Sequence, residues 1–316
     1  MTPPAAAEIS RRGVLQATAL TVLGRTADAA AQGLRSRAEF QLACMTYVYR
    51  AFPLARALEG IASAGFRYVA WGTEHVEADG RRTPVLAPTA SAAEAARLGR
   101  RCRDAGLQPV MLFSTVYPEH PTGPEVLKRR IEQAQAGGVS QVLTFGHTEG
   151  DGRRLWLERL QVLGDFAKSA GVLLVIKQHG GESGSGLACA RITRELNHPA
   201  VAVCYDAGNV MDYLNADPIP DLAACRDQVR SFCLKDHRNF PRDEDCGPGW
   251  GEIDHFRLLS QMQGAGGAIP LCFENVSRPV TPRRDTPAQV DANARWARDY
   301  VEGVLAGLTA PPPPAE

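Results

Sequence analysis

Apolar positions along this chain follow two rhythms that take turns. Longer segments carry hydrophobic side chains three or four positions apart, the spacing of one helix face, and end in Ala-Gly or Gly-Gly; a short apolar run follows at once. The junctions are Ala64-Gly65-Phe66, Ala105-Gly106-Leu107, Gly137-Gly138-Val139 and Ala170-Gly171-Val172. Glycine there supplies the left-handed cap that ends a helix and turns the chain back toward a sheet. The pattern predicts strands near 42–48, 66–71, 107–113, 140–145, 172–177, 201–205, 230–235 and 269–274. Helices are expected near 53–64, 91–105, 123–137, 153–170, 186–197, 218–228, 254–264 and 286–306. Val172-Leu-Leu-Val-Ile176 is apolar without alternation, which signals a strand buried on both faces and a parallel sheet. Eight such units close as a single-domain (β/α)₈ barrel of the α/β class over 38–308. A doubly wound sheet is the alternative, but no Gly-x-Gly-x-x-Gly follows the first strand. The glycines of Gly180-Gly181-Glu-Ser-Gly184-Ser-Gly186 follow strand five and read as a loop that lets backbone approach a ligand.

Composition narrows the function. The 316 residues carry 35 Lys+Arg and 35 Asp+Glu, so no global field draws nucleic acid or an anionic membrane. No apolar run reaches the roughly 18–20 residues of a spanning helix. The eight cysteines show neither CxxC pairing nor zinc-type spacing, and several sit in strand-like runs, as small buried hydrophobes do. The first 31 residues differ in kind. Ser10-Arg11-Arg12-Gly13-Val14-Leu15-Gln16, followed by a moderately apolar stretch and Ala27-Asp28-Ala29 or Ala29-Ala30-Ala31, resembles a twin-arginine export signal. That resemblance implies the export machinery as a partner and a periplasmic or other extracytoplasmic location. Residues 309–316, rich in proline, are expected to be disordered.

In such a barrel the active site forms where the strands end. Those ends are polar here: Tyr47, Tyr49 and Arg50; Trp71, Glu74 and His75; Ser114 and Tyr117; His147 and Glu149; Lys177, Gln178 and His179; Asp206 and Asn209; Cys233, Lys235, Asp236 and His237; Glu274. Their candidate roles divide by chemistry. Lys177, His179, Glu149 and Lys235 are the candidate catalytic groups. Tyr49, Trp71, Glu74, His147, Asn209, Asp236 and Trp250 are candidate substrate contacts, the aromatics by stacking on sugar faces.

Val203-Cys-Tyr-Asp206-Ala-Gly208-Asn209, Phe232-Cys-Leu-Lys235-Asp236, Gly249-Trp-Gly-Glu252-Ile-Asp254-His-Phe256 and the closing strand ending in Glu274 resemble the xylose-isomerase-like superfamily of sugar phosphate isomerases and epimerases. The likeness spans the chain after its leader. It implies a sugar or keto-sugar substrate, proton abstraction beside a carbonyl, and a frequent homodimer. It also implies a divalent metal (Mn²⁺, Mg²⁺, Co²⁺ or Zn²⁺) held by Glu, Asp, His and Glu of strands five to eight. Asp206 and Glu274 match that pattern, but Lys177 stands in place of the Glu and Cys233 in place of the His. Two readings follow. Either a rearranged set of His179, Asp206 and Glu274, completed by His237 or Cys233, holds the metal, or Lys177 neutralises the carboxylates and no metal is needed. A 3-keto-glycoside hydrolase or lyase of the same fold, and a sugar-binding barrel without catalysis, are the alternative functions. A nuclease relative would need a richer His/Asp/Glu set and a basic groove, and neither is visible.

Overall fold

The computed structural model describes residues 38–146, 152–279 and 286–309. The leader read over 1–31, the proline tail from 310 onward, and His147 and Glu149 lie outside the described residues. Within them, residues 40–262 and 268–309 form one compact body, while Glu39 and Gln263–Gly267 group together through the Glu39 amide, which donates to the Gly267 carbonyl.

Eight parallel strands close into a barrel: Glu39–Met45, Tyr68–Trp71, Gln108–Phe113, Gln141–Phe145, Leu173–Lys177, Val201–Tyr205, Val229–Leu234 and Ala268–Phe273. Helices return the chain between them, from Leu54–Ser63 and Ala92–Asp104 through to Pro287–Thr309. The glycine junctions behave as their spacing predicts, with Gly138 and Gly171 left-handed at the ends of helices Gly123–Gly137 and Arg153–Ala170. No helix among the described residues is long and apolar enough to cross a membrane.

Three departures from the expected elements bear on the site. The first strand stops at Met45, and Thr46–Tyr49 winds into a 3₁₀ turn that buries Tyr49. A helix, Ala207–Leu214, follows the sixth strand at once, because Asp206 caps it by accepting the Asn209 amide. Two antiparallel ribbons rise beyond strand ends, Glu74–Val76 with Arg82–Pro84 and Asp236–Arg238 with Glu244–Cys246.

Strand side chains alternate across the sheet, so every second residue faces the barrel axis. Met45, Met111, Phe113, Leu143, Phe145, Val175, Cys204, Cys233 and Cys272 pack there as one core. All eight cysteines are buried and unpaired, which fits a domain large enough to hold itself together without cross-links. Outside the barrel wall, helix Ala92–Asp104 approaches the end of helix Gly123–Gly137 so closely that a Cβ on Gly99 would press into the Gly137 carbonyl oxygen. Gly99→Ala is therefore expected to destabilise the fold by about 1–3 kcal/mol in urea denaturation, despite alanine's better helix propensity. A stabilised variant would show that the two helices separate freely.

Candidate functional site

The last four strands deliver a repeated two-step. Each ends its inward-facing run with a small apolar side chain, and two positions on, the same face carries a charge. The pairs are Val175 and Lys177, Cys204 and Asp206, Cys233 and Lys235, Cys272 and Glu274. Four neighbouring strands thus place two cations and two anions at one barrel mouth, above a floor of cysteines.

The charges interlock. The Lys177 ammonium lies 2.8 Å from Asp206 Oδ2 and donates to Glu274 Oε2 at 2.7 Å. Lys235 donates to Asn209 Oδ1 (2.6 Å) and Asp245 Oδ2 (2.8 Å), and stands 3.8 Å from the same Asp206 oxygen. Gly208 makes room for the Lys235 stem, since a Cβ there would fall 2.6 Å from Lys235 Cε. Asn209 in turn donates to the Gln178 carbonyl, while the Gln178 side chain accepts the Asp206 amide. Side-chain exposure separates the members: Asp206 has none, Lys177 3%, Lys235 8% and Glu274 18%. Glu274 is the ring carboxylate open to an incoming molecule.

Burial penalises the charges of Lys177, Asp206 and Lys235, and opposite charge overrides the penalty. The Asp206 and Glu274 carboxylates hold the Lys177 ammonium charged, well above lysine's ordinary range. Burial likewise works against Asp206, but Lys177 and then Lys235 keep its carboxyl below the usual range. Lys235 is raised, chiefly by Asp206 against its own burial. Burial keeps Cys233 a neutral thiol.

His179, next beyond this ring, bonds Tyr117 through Nδ1 and lies against Phe145, ring centroids 4.2 Å apart. Tyr213 approaches its far side. Burial, and after it the Lys177 charge, lowers the His179 pKa, so the imidazole is neutral at neutral pH. The Tyr117 hydroxyl is pushed up to about 12, mainly by burial.

Other predicted residues go elsewhere. The structure does not bring His179 or His237 into the Asp206–Glu274 group. His237 is drawn into the second ribbon, with Nδ1 3.1 Å from Asp245 and Nε2 3.3 Å from Asp243. Asp236 is wholly buried and accepts the backbone amides of His237, Gly249, Gly251 and Ile253, which makes it the clamp of the 247–253 loop. Trp71 is buried beneath Gly137. Tyr49 is buried and donates to Asp291, and Glu74 pairs with Arg82 on the first ribbon. The Trp250 ring lies against Trp296, tilted by 32°, with the Arg278 guanidinium 4.9 Å from its centroid. Sequence reasoning did not single out Asp245 or Asp243. No local pattern marks them, because only the turn of the ribbon carries them back to Lys235 and His237.

Two groups of described residues place potential metal-ligand atoms within 4.8 Å of one another: Asp206, Cys233 and Glu274, and Asp212, His237 and Asp243. The first does not suit a divalent cation as it stands. An ammonium already lies within hydrogen-bonding distance of both its carboxylates, and its third member is a neutral thiol.

The family model described as xylose isomerase-like TIM barrel matches residues 58–300. No curated protein matches the chain. Among solved structures, D-psicose 3-epimerase from Clostridium cellulolyticum H10, determined with D-tagatose, superposes with a TM-score of 0.66 at 12% identity, covering 84% of this chain and 99% of that one. A xylose isomerase domain protein from Planctomyces limnophilus gives 0.64 at 16%, covering 86% and 98%. A xylose isomerase-like barrel protein from Mycobacterium smegmatis, in complex with magnesium, gives 0.63 at 17%, covering 88% and 99%. At these identities the likeness establishes the barrel.

The buried ion pairs make a stability prediction. Lys177→Met leaves Asp206 without its nearest countercharge and is expected to cost about 3–5 kcal/mol at neutral pH. Asp206 has a depressed pKa, so its contribution is present above the ordinary carboxylate range and is lost as pH falls through its folded value. Lys177 has a raised one, so its contribution is present below the ordinary lysine range and is lost as pH rises through its folded value. Denaturant titrations across pH should therefore show the variant's deficit shrinking toward acid; a deficit independent of pH would break the assignment.

Proposed function

This chain belongs to the xylose isomerase-like TIM-barrel family, and on that footing we propose that it is an isomerase or epimerase of a sugar or keto-sugar. One observation carries the reading: the last four barrel strands converge on an alternating ring of ammonium and carboxylate groups at the mouth, with one carboxylate, Glu274, turned toward solvent. The reading also draws on the fold neighbour that is a ketose 3-epimerase.

The chemistry asked of these residues is a proton shuttle. Glu274 takes the proton from the carbon next to a substrate carbonyl. The C–H electron pair becomes the C=C bond of an enediolate, and the carbonyl π pair moves onto oxygen. Developing negative charge there is favoured by the nearby ammonium groups, which are fixed before reaction. The second proton transfer is assigned in this reading to His179, which is neutral and bonded to Tyr117. Return to the neighbouring carbon, with the hydroxyl proton passed from one enediolate oxygen to the other, gives an isomer; return to the opposite face of the same carbon, with the carbonyl re-formed, gives an epimer. A lyase or hydrolase acting on 3-keto-glycosides would share the first step and then expel the glycosidic oxygen, so release of free sugar distinguishes it. We also read the Ser10-Arg11-Arg12 leader as an export signal, which favours an unphosphorylated sugar, since sugar phosphates are chiefly cytoplasmic.

The test is incorporation of solvent deuterium into a panel of ketoses and aldoses. Glu274→Gln should slow exchange by about 10²–10⁴-fold, the usual share of a positioned acid–base group. Unchanged exchange in that variant, or no exchange with any sugar, overturns the proposal. The lowered His179 pKa places the acid limb of kcat/KM below the ordinary imidazole range, because activity is lost as His179 becomes protonated. His179→Gln should abolish that limb; an unaltered profile would remove His179 from the shuttle.

A further inference from the structure

Two carboxylates facing one another at the mouth of a barrel need positive charge between them, and a metal ion from solution is one way to supply it. This chain carries it in its own side chains. Lys177 Nζ is within 2.8 Å of a carboxylate oxygen of both Asp206 and Glu274, which is the position any cation shared by those two groups must take. Lys235 Nζ stands 3.8 Å from the same Asp206 oxygen and is anchored on Asn209 and Asp245. The two ammonium charges equal that of one dication and balance Asp206 and Glu274, while Asp245, also paired with Lys235, adds a more exposed carboxylate.

We propose that Lys177 and Lys235 are a built-in substitute for a divalent ion, so that the barrel mouth neither takes up nor needs a metal. Three features support this beyond charge balance. Lys177 is almost wholly buried and held from two sides, so moving it out to admit an ion would strand a charge in the wall. The third potential ligand, Cys233, is a thiol whose ionisation burial opposes. A dication entering beside Lys177 would also meet Lys235, and neither ammonium has an easy deprotonated state, because Asp206 holds both charged. A further consequence rests on the sugar-enzyme reading above: the positive charge that favours the enediolate is that of the ammonium groups. The metal exclusion itself does not rest on that reading.

The chemistry of the ring makes the proposal reversible by one substitution. Lys177→Glu removes the resident charge and adds a third hard oxygen donor beside Asp206 and Glu274, the donor type that Mn²⁺ and Mg²⁺ favour. Full-length protein purified without chelator would be assayed for bound metal by elemental analysis and titrated with Mn²⁺ by calorimetry. Wild type is expected to bind no Mn²⁺ that depends on Asp206. Lys177→Glu should bind one equivalent at least about 100-fold more tightly than wild type, and Lys177→Glu/Asp206→Asn should lose it.

The second ligand group, Asp212, His237 and Asp243, is controlled by His237→Ala. Metal that vanishes in that variant but survives Asp206→Asn lies outside the ring and supports the proposal. A stoichiometric metal in wild type that is lost in Asp206→Asn overturns it, and that comparison stands even where Lys177→Glu does not fold. If Lys177→Glu folds and binds no Mn²⁺, the ring is not a cation site and the substitution idea fails. None of these measurements uses a sugar, so absence of turnover would count against the proposed reaction and leave the cation assignment as measured.

Discussion

The ion pairs of Lys177 with Asp206 and Glu274 are the constraint from which the rest of the mouth follows. A charge this deeply buried is tolerated only where opposite charge and hydrogen bonds replace the water it has lost. Asp206 meets that demand with both oxygens: Oδ2 faces the ammonium, and Oδ1 accepts the Asn209 amide and so starts helix Ala207–Leu214. That helix in turn fixes Asn209, whose side chain ties the Gln178 carbonyl to Lys235. One carboxylate thus sets the direction of a helix, the position of a second lysine and the backbone of the neighbouring strand end.

A second anchor holds the rim above this ring. Asp236 sits directly after Lys235, points the other way, and gathers four backbone amides, three of them from the 247–253 loop. Neighbouring residues therefore divide two tasks by strand alternation, one facing the reaction centre and one fixing the loop beside it. The ribbon Asp236–Arg238 with Glu244–Cys246 then returns Asp245 to Lys235, closing a polar network whose partly exposed members are Asp245 and Glu274. A mouth built in this way is preorganised, since its charges are oriented by the fold before any ligand arrives.

Much of this was legible in advance. The eight strand-and-helix units, the glycine junctions and the polar strand ends are local in sequence, and each appears in the structure with shifts of a few residues at the ends of elements. The membership of Lys177, Asp206, Lys235 and Glu274 in one mouth followed from their positions at the ends of strands five to eight. Which of them touch did not. Trp71 and Tyr49 looked like stacking platforms, yet barrel closure placed one beneath Gly137 and bonded the other to Asp291, 242 residues away. His237 looked like a metal ligand alongside Asp206 and Glu274, and the ribbon turned it toward Asp243 and Asp245.

By itself the sequence determined the barrel and the inventory of its mouth, because helix spacing, strand burial and caps are decided over a few neighbouring residues. It left three roles open for Lys177: catalytic group, neutralising counterion, or bystander to a rearranged metal site. Only the tertiary structure decided where its charge goes. Lys177 and Glu274 are 97 residues apart along the chain, and closing the sheet brings their charged ends to 2.7 Å. At that distance in a buried site the electrostatics leaves little choice of partner; along the extended chain nothing specifies the distance at all.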